Sequence, residues 1–141
     1  MCKHLQSLIQ TRKKRGVIEE INMGKDEILE HLKDLLGKEI DIVMDRPLGT
    51  IHPKHKEIVY PINYGYIDGF YVGDNEYQDV YILGEDKPLK TYHGRVVAIV
   101  HRFDDNEDKL VVYNHGNISA DQIEEAIEFQ KKYFKHEIIS V

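Results

Sequence analysis

One helix, five or six short strands and a second helix follow one another along the chain, and that order predicts an α+β domain: a small β-barrel flanked by N- and C-terminal helices. Three observations carry the prediction. Apolar residues recur at helical spacing only near the two ends. Between them, short runs rich in Val, Ile and Tyr are separated by Gly, Pro and Asp punctuation. The 141 residues are one domain's worth of chain, enough to bury about two-thirds of the unfolded surface.

The elements follow in order. DEILEHLKDLL, residues 26–36, places Ile28, Leu29, Leu32, Leu35 and Leu36 on one helical stripe, with Asp26 as start cap and Gly37 as end cap. KEIDIVMD alternates Ile40, Ile42 and Met44 against polar neighbours, as a half-buried strand does. DRPLGTIHPKHKE is a loop punctuated by Pro47, Gly49 and Pro53, and its His52 and His55 read as exposed loop histidines. EIVY, NYGYI and FYV are short strand-like runs broken at Pro61 and Gly69, with Gly65 and Gly69 serving backbone turns. DVYIL, residues 79–83, is a strand. RVVAIVHRF, residues 95–103, is the most apolar run and reads as a central strand, with His101 and Arg102 capping its end. KLVVY, residues 109–113, returns as another strand. Ser119 with Gln122 three positions on forms a capping box, and Ile123, Ala126, Ile127, Gln130 and Phe134 continue the helical stripe behind it.

Composition narrows the function. The net charge of −6 hides an asymmetry: residues 1–16 carry five cations and no acid, so the rest carries −11. Residues 1–22 are set apart as a basic N-terminal extension, with the barrel domain spanning 23–141. An acidic body repels the phosphate backbone of nucleic acid and attracts cations. No apolar run approaches the length of a membrane span. A lone Cys2 rules out an internal disulfide and a cysteine-based zinc site, and the expected address is the cytoplasm.

Two acidic stretches hold the candidate chemistry. DNEYQD contributes Asp74, Glu76 and Asp79; DDNED contributes Asp104, Asp105, Glu107 and Asp108. Each leads straight into a strand, so in a small barrel the two can converge. Taken singly, either is a solvated turn. Brought together, so many carboxylates repel unless cations sit among them. Oxygen-only ligands favour Mg²⁺, with Mn²⁺ or Ca²⁺ as alternatives, over zinc or copper. Lys109 follows the second stretch directly, and Tyr60 and Tyr64 lie just before the first. Cations and phenolic donors beside hard metal ligands suit metal-assisted phosphoryl chemistry.

Tyr60-Pro61-Ile62-Asn63-Tyr64-Gly65-Tyr66-Ile67, then Asp74-Asn75-Glu76-Tyr77-Gln78-Asp79-Val80, then the acidic turn before Lys109-Leu110-Val111 together resemble the signature segments of the soluble (family I) inorganic pyrophosphatases, over roughly residues 40–136. The resemblance implies a short version of that family's five-stranded OB-like barrel with helices outside. It implies Mg²⁺-dependent (or Mn²⁺-dependent) hydrolysis of inorganic pyrophosphate to two phosphates by a metal-activated water. By the same resemblance Asp74, Glu76, Asp79, Asp105 and Asp108 are metal ligands, with Asp104 or Glu107 as substitutes from the second turn. Glu76 takes the water's proton, and Lys109 and Tyr64 hold phosphate oxygens. Arg46, Tyr60, Tyr133 and Lys135 bind substrate, and the chain forms a homo-oligomer.

The sequence departs from the family pattern in three places. Glu76 stands where the family has Asp, which moves the carboxylate by about one methylene; misplacement near 1 Å can cost about a hundredfold in rate. The loop from Arg46 to Tyr60 is longer than usual, and His52 and His55 have no counterpart in it. Lys135 is displaced by one residue from the family's Tyr-Lys pair. Two alternatives remain: hydrolysis of another small diphosphate, and a non-catalytic OB-like module binding oligonucleotides through its basic start.

Overall fold

Closure of the sheet depends on one long strand. β4 (Thr91–Arg102) serves two partners along one edge: its first half pairs antiparallel with β1 (Glu39–Arg46), its second half with β6 (His136–Ser140). Its other edge pairs with β5 (Lys109–Tyr113), which lies parallel to β3 (Tyr77–Leu83); β3 pairs with β2 (Asn63–Tyr71), and β2 returns to β1. The ring β1-β2-β3-β5-β4-β1 is a closed five-stranded barrel with β6 appended outside it. The computed structural model describes residues 25–71, 77–103, 108–131 and 135–141. Among these, no helix is long and apolar enough to cross a membrane.

Alternation along each strand sorts side chains into two cores. Ile40, Ile42, Ile67, Val80, Ile82, Val96, Ile99, Leu110 and Val112 fill the barrel, closed by Leu32 and Leu35 of α1 (Lys25–Leu35). The opposite face of the same strands presents Tyr64, Tyr81, Leu83, Val100 and Val111 to Ile123 of α2 (Ala120–Ala126) and to Ile127. Strands buried on both faces explain why VYIL and VVAIV show no period-two pattern. A bulge between Val96 and Ala98 turns Val97 outward.

The ends of the helices follow local chemistry. Ser119 accepts the Gln122 amide at 3.1 Å while the Gln122 side chain accepts the Ser119 amide at 2.9 Å, so the capping box is formed. Gly37 ends α1 with φ +85°, its N–H bonded to Val96 O at 2.8 Å. Asp26 is not the cap: α1 already includes Lys25, and Asp26 sits in the first turn, where its charge complements the helix dipole. Residues 57–60 make a single bridge, Ile51 to Val59, rather than a strand. The runs on either side of Gly69 form one continuous β2 with a register shift between Tyr66 and Tyr71. Gly65 lies within this strand and serves a close approach of two backbones, not a turn.

The β1–β4 seam carries its own charge clasp. His93, opposite Asp41, bonds Asp41 at 2.7 Å and Glu39 at 2.9 Å. The Asp41 and Glu39 hydrogen bonds raise its pKa above the ordinary histidine value of 6.5. The folded state therefore binds the proton more tightly than the unfolded state. That contribution is fully present below the unfolded value and is lost as pH rises through the folded one. Melting temperature should fall as pH climbs above about 6.5, and His93→Gln should flatten that fall; identical pH profiles for the two proteins would dismiss the clasp.

Candidate active site on the outer face of the barrel

The parallel pairing of β3 with β5 brings the two acidic stretches to one end of the sheet. Val80 pairs with Leu110, so the chain enters both strands side by side. One residue earlier on each strand, Asp79 and Lys109 share the outward face with Tyr64 and Tyr81, which sit opposite each other on β2 and β3. Lys109 Nζ donates to Tyr64 Oη at 2.7 Å and to Asp79 Oδ2 at 3.0 Å, and lies 5.2 Å from the centre of the Tyr64 ring. The lysine side chain is only 10% exposed, the Asp79 side chain 28%. A buried ammonium requires such partners, because leaving one unpaired costs several kcal/mol. Burial, then the Asp79 charge, pushes the Tyr64 phenol well above its ordinary pKa, so it stays a proton donor. Tyr81 is raised by burial in the same way.

A second group adjoins the first through stacked phenols. Arg46, at the end of β1 and opposite Tyr64, donates from Nη1 to Tyr60 Oη at 2.6 Å. Tyr60 is fully buried, 5.6 Å from the Tyr64 ring and 5.2 Å from Phe129. Arg46, Tyr60, Tyr64, Lys109 and Asp79 thus form one continuous band. His52 joins its margin. Its ring lies parallel to Tyr60 at 6.1 Å, and its Nδ1 accepts the amides of Lys54 and His55. His52 is half-buried, not an exposed loop histidine; desolvation, then the Arg46 charge, lowers its pKa.

The remaining predicted residues divide. Asp74, Glu76, Asp105 and Tyr133, with Asp104 and Glu107, lie outside the described residues. Asp108 is almost fully buried on the inner side of β5's start: Oδ2 meets His101 Nδ1 at 3.0 Å and Oδ1 accepts the Arg102 amide at 2.8 Å. Its described side-chain partners are thus His101 and the Arg102 amide, not Lys109 or Tyr64. Lys135 is exposed just ahead of β6, its carbonyl accepting the Phe103 amide at 3.2 Å. Gln130 and Tyr81 belong to the band and were not singled out as site residues. Tyr81 Oη donates to Gln130 Oε1 at 2.5 Å, and Gln130 Nε2 donates to Tyr60 Oη at 3.2 Å. A polar residue on the apolar stripe of the C-terminal helix was the available signal.

Among the described residues, no three His, Cys, Asp or Glu side chains converge on a point that could hold a metal. Asp79 is the described carboxylate on the band; its Oδ2 is held by Lys109, and the ligand it can offer a cation is carboxylate oxygen. That donor set fits a hard divalent cation rather than a thiophilic one.

Comparisons with known proteins bear on the fold and the family. Residues 17–139 match the family model described as inorganic pyrophosphatase. The chain is 31% identical over 106 residues to an inorganic pyrophosphatase of Halobacterium salinarum, covering 72% of this chain and 54% of the relative. It is 32% identical over the same length to that of Haloferax volcanii, with the same coverage. The chain thus spans about half the length of the curated relatives it matches. The crystal structure of inorganic pyrophosphatase from Ehrlichia chaffeensis superposes with a TM-score of 0.58 at 15% identity, covering 75% of this chain and 88% of that one. The crystal structure of an inorganic phosphatase from Anaplasma phagocytophilum gives 0.50 at 16% identity, covering 72% and 82%. Those two likenesses establish the OB-like barrel; the family match, with the curated relatives, establishes kinship: the chain belongs to the inorganic pyrophosphatase family.

Proposed function

We propose that this chain hydrolyses inorganic pyrophosphate to two phosphates with the help of Mg²⁺, or Mn²⁺ in its place. The observation that supports this most is the Lys109 ammonium held between Tyr64 Oη and Asp79 beside the Arg46–Tyr60 pair. A lysine has three N–H donors, and two are spent on protein. The third serves a phosphate oxygen. Arg46 spends one donor on Tyr60 and offers the rest of its fork to the same anion. Tyr64, kept protonated, has one O–H; turned from Asp79 to the anion, it donates where charge develops on the leaving phosphate. Tyr133 and Lys135 are assigned to substrate binding by the family resemblance.

Asp79, with Asp74, Glu76 and Asp105, is assigned to hold the metal. Asp108, placed with them by family resemblance, would have to leave His101 and the Arg102 amide to join, and Asp104 or Glu107 can stand in for it. A bound divalent ion supplies an acidified water and neutralises phosphate charge. Glu76 is assigned as the base that would accept a proton from the attacking water. Cytoplasmic residence, homo-oligomeric assembly, and no nucleic-acid or membrane partner for the acidic body complete the reading.

The test is phosphate release from pyrophosphate by purified protein, with and without Mg²⁺ and Mn²⁺, beside a nucleoside diphosphate and tripolyphosphate. Release from pyrophosphate that requires the metal is expected. Faster release from another substrate would redirect the proposal to that diphosphate, and no release with either ion would end it.

A further inference from the structure

Gln130 lies in a four-residue helix, Glu128–Lys131, that follows α2 along the segment whose apolar groups pack against the sheet. Its neighbours on that side are Ile123, Ile127 and Phe129, and its side chain reaches two phenols that are themselves fully buried. The amide is used at both ends. Oε1 takes the Tyr81 proton at 2.5 Å, which leaves Nε2 facing Tyr60 Oη at 3.2 Å. Tyr60 Oη in turn accepts Arg46 Nη1 at 2.6 Å. A phenolic oxygen has two acceptor positions. Gln130 and Arg46 take both, and the ring cannot swing because Phe129 and Tyr64 pack against it at 5.2 Å and 5.6 Å.

We propose that Gln130 is a positioning residue for anion recognition: its amide, anchored by Tyr81, holds the Tyr60 hydroxyl that fixes the Arg46 guanidinium beside Lys109. The assignment rests on the reading of Arg46 as a phosphate ligand. It goes beyond that reading by assigning the arginine's alignment to an uncharged side chain that does not touch the anion. Without the amide, Tyr60 Oη loses one of its two donors, and Arg46 is left on a hydroxyl free to turn. The fork then pays for its own alignment whenever an anion binds.

The experiment is a double-mutant cycle on the full chain, read by calorimetric titration of inorganic phosphate in the presence of Mg²⁺ and by the KM–kcat split for pyrophosphate. Gln130→Met keeps the volume and removes the amide. We expect the phosphate dissociation constant and KM to rise about tenfold, with kcat within about threefold, which is the scale of one hydrogen bond to a charged group's partner. In an Arg46→Ala background the same change should be silent. Tyr81→Phe, which removes only the anchor of the amide, should raise both constants about threefold and leave the fold intact if Gln130→Met does not fold. If Arg46→Ala weakens phosphate but Gln130→Met and Tyr81→Phe do not, or if the Gln130 effect persists undiminished without Arg46, the positioning role is overturned while the function stands. If Arg46→Ala leaves phosphate affinity unchanged, the phosphate role of Arg46 falls, and this inference with it.

Discussion

Lys109→Met should lower kcat/KM for pyrophosphate by roughly 10²–10³-fold, the range for loss of one donor aimed at developing charge. Methionine keeps most of the stem's length and apolar bulk, so the loss isolates the ammonium, with its place 5.2 Å from the centre of the Tyr64 ring. Two consequences distinguish this from unfolding. Asp79 is partly exposed and can recover water, so the orphaned carboxylate is not trapped. Tyr64 keeps Asp79 as a hydrogen-bonding neighbour. The melting temperature should therefore move by only a few degrees while activity collapses. Lys109→Arg should recover little, because a planar fork cannot place its donors as a compact ammonium does between a phenol and a carboxylate. A methionine variant retaining more than a tenth of wild-type kcat/KM would remove Lys109 from the chemistry.

What could be read from the sequence was what is settled locally. KLVVY became β5 to the residue, and the Ser119–Gln122 box formed as its spacing dictates, because both depend on neighbours a few positions away. Tyr64 and Lys109 were named together through the family resemblance, and the structure joins them at 2.7 Å. The split edge of β4 was not legible, since pairing with β1 and β6 is a matter of distant partners. β6 was missed for the same reason: HEIIS is five residues with two isoleucines, and only β4 makes it a strand. The second acidic turn was treated as a set, and its one member among the described residues, Asp108, is engaged by His101 and the Arg102 amide. With Leu110 and Val112 facing the barrel interior, Lys109 had to point outward. The parity of KLVVY contained that answer. Gln130 was hidden by its company, a polar residue counted within an apolar stripe, and only the buried Tyr60 and Tyr81 hydroxyls give it a purpose.

Gly65→Ala should be among the most destabilising single-methyl additions in the domain. A Cβ at this position would stand 2.3 Å from Val43 O, 2.9 Å from Ile42 Cγ2 and 3.0 Å from the Val43 carbonyl carbon. The first and last of these are backbone of the adjoining strand, so no rotamer change relieves them; β1 and β2 must separate. Overpacking of this kind costs about 1–3 kcal/mol where side chains can yield, and the upper end or beyond applies where they cannot. For a domain of this size that is a fall of roughly 10 °C in melting temperature. The same separation has a functional consequence, because one residue away the β1–β2 pair sets Arg46 opposite Tyr64. Widening the seam draws the guanidinium from the band that holds Lys109. Phosphate affinity measured well below the melting transition should therefore weaken together with stability. A Gly65→Ala protein that melts within about two degrees of wild type would show that the two backbones are not held as closely as the β1–β2 register requires.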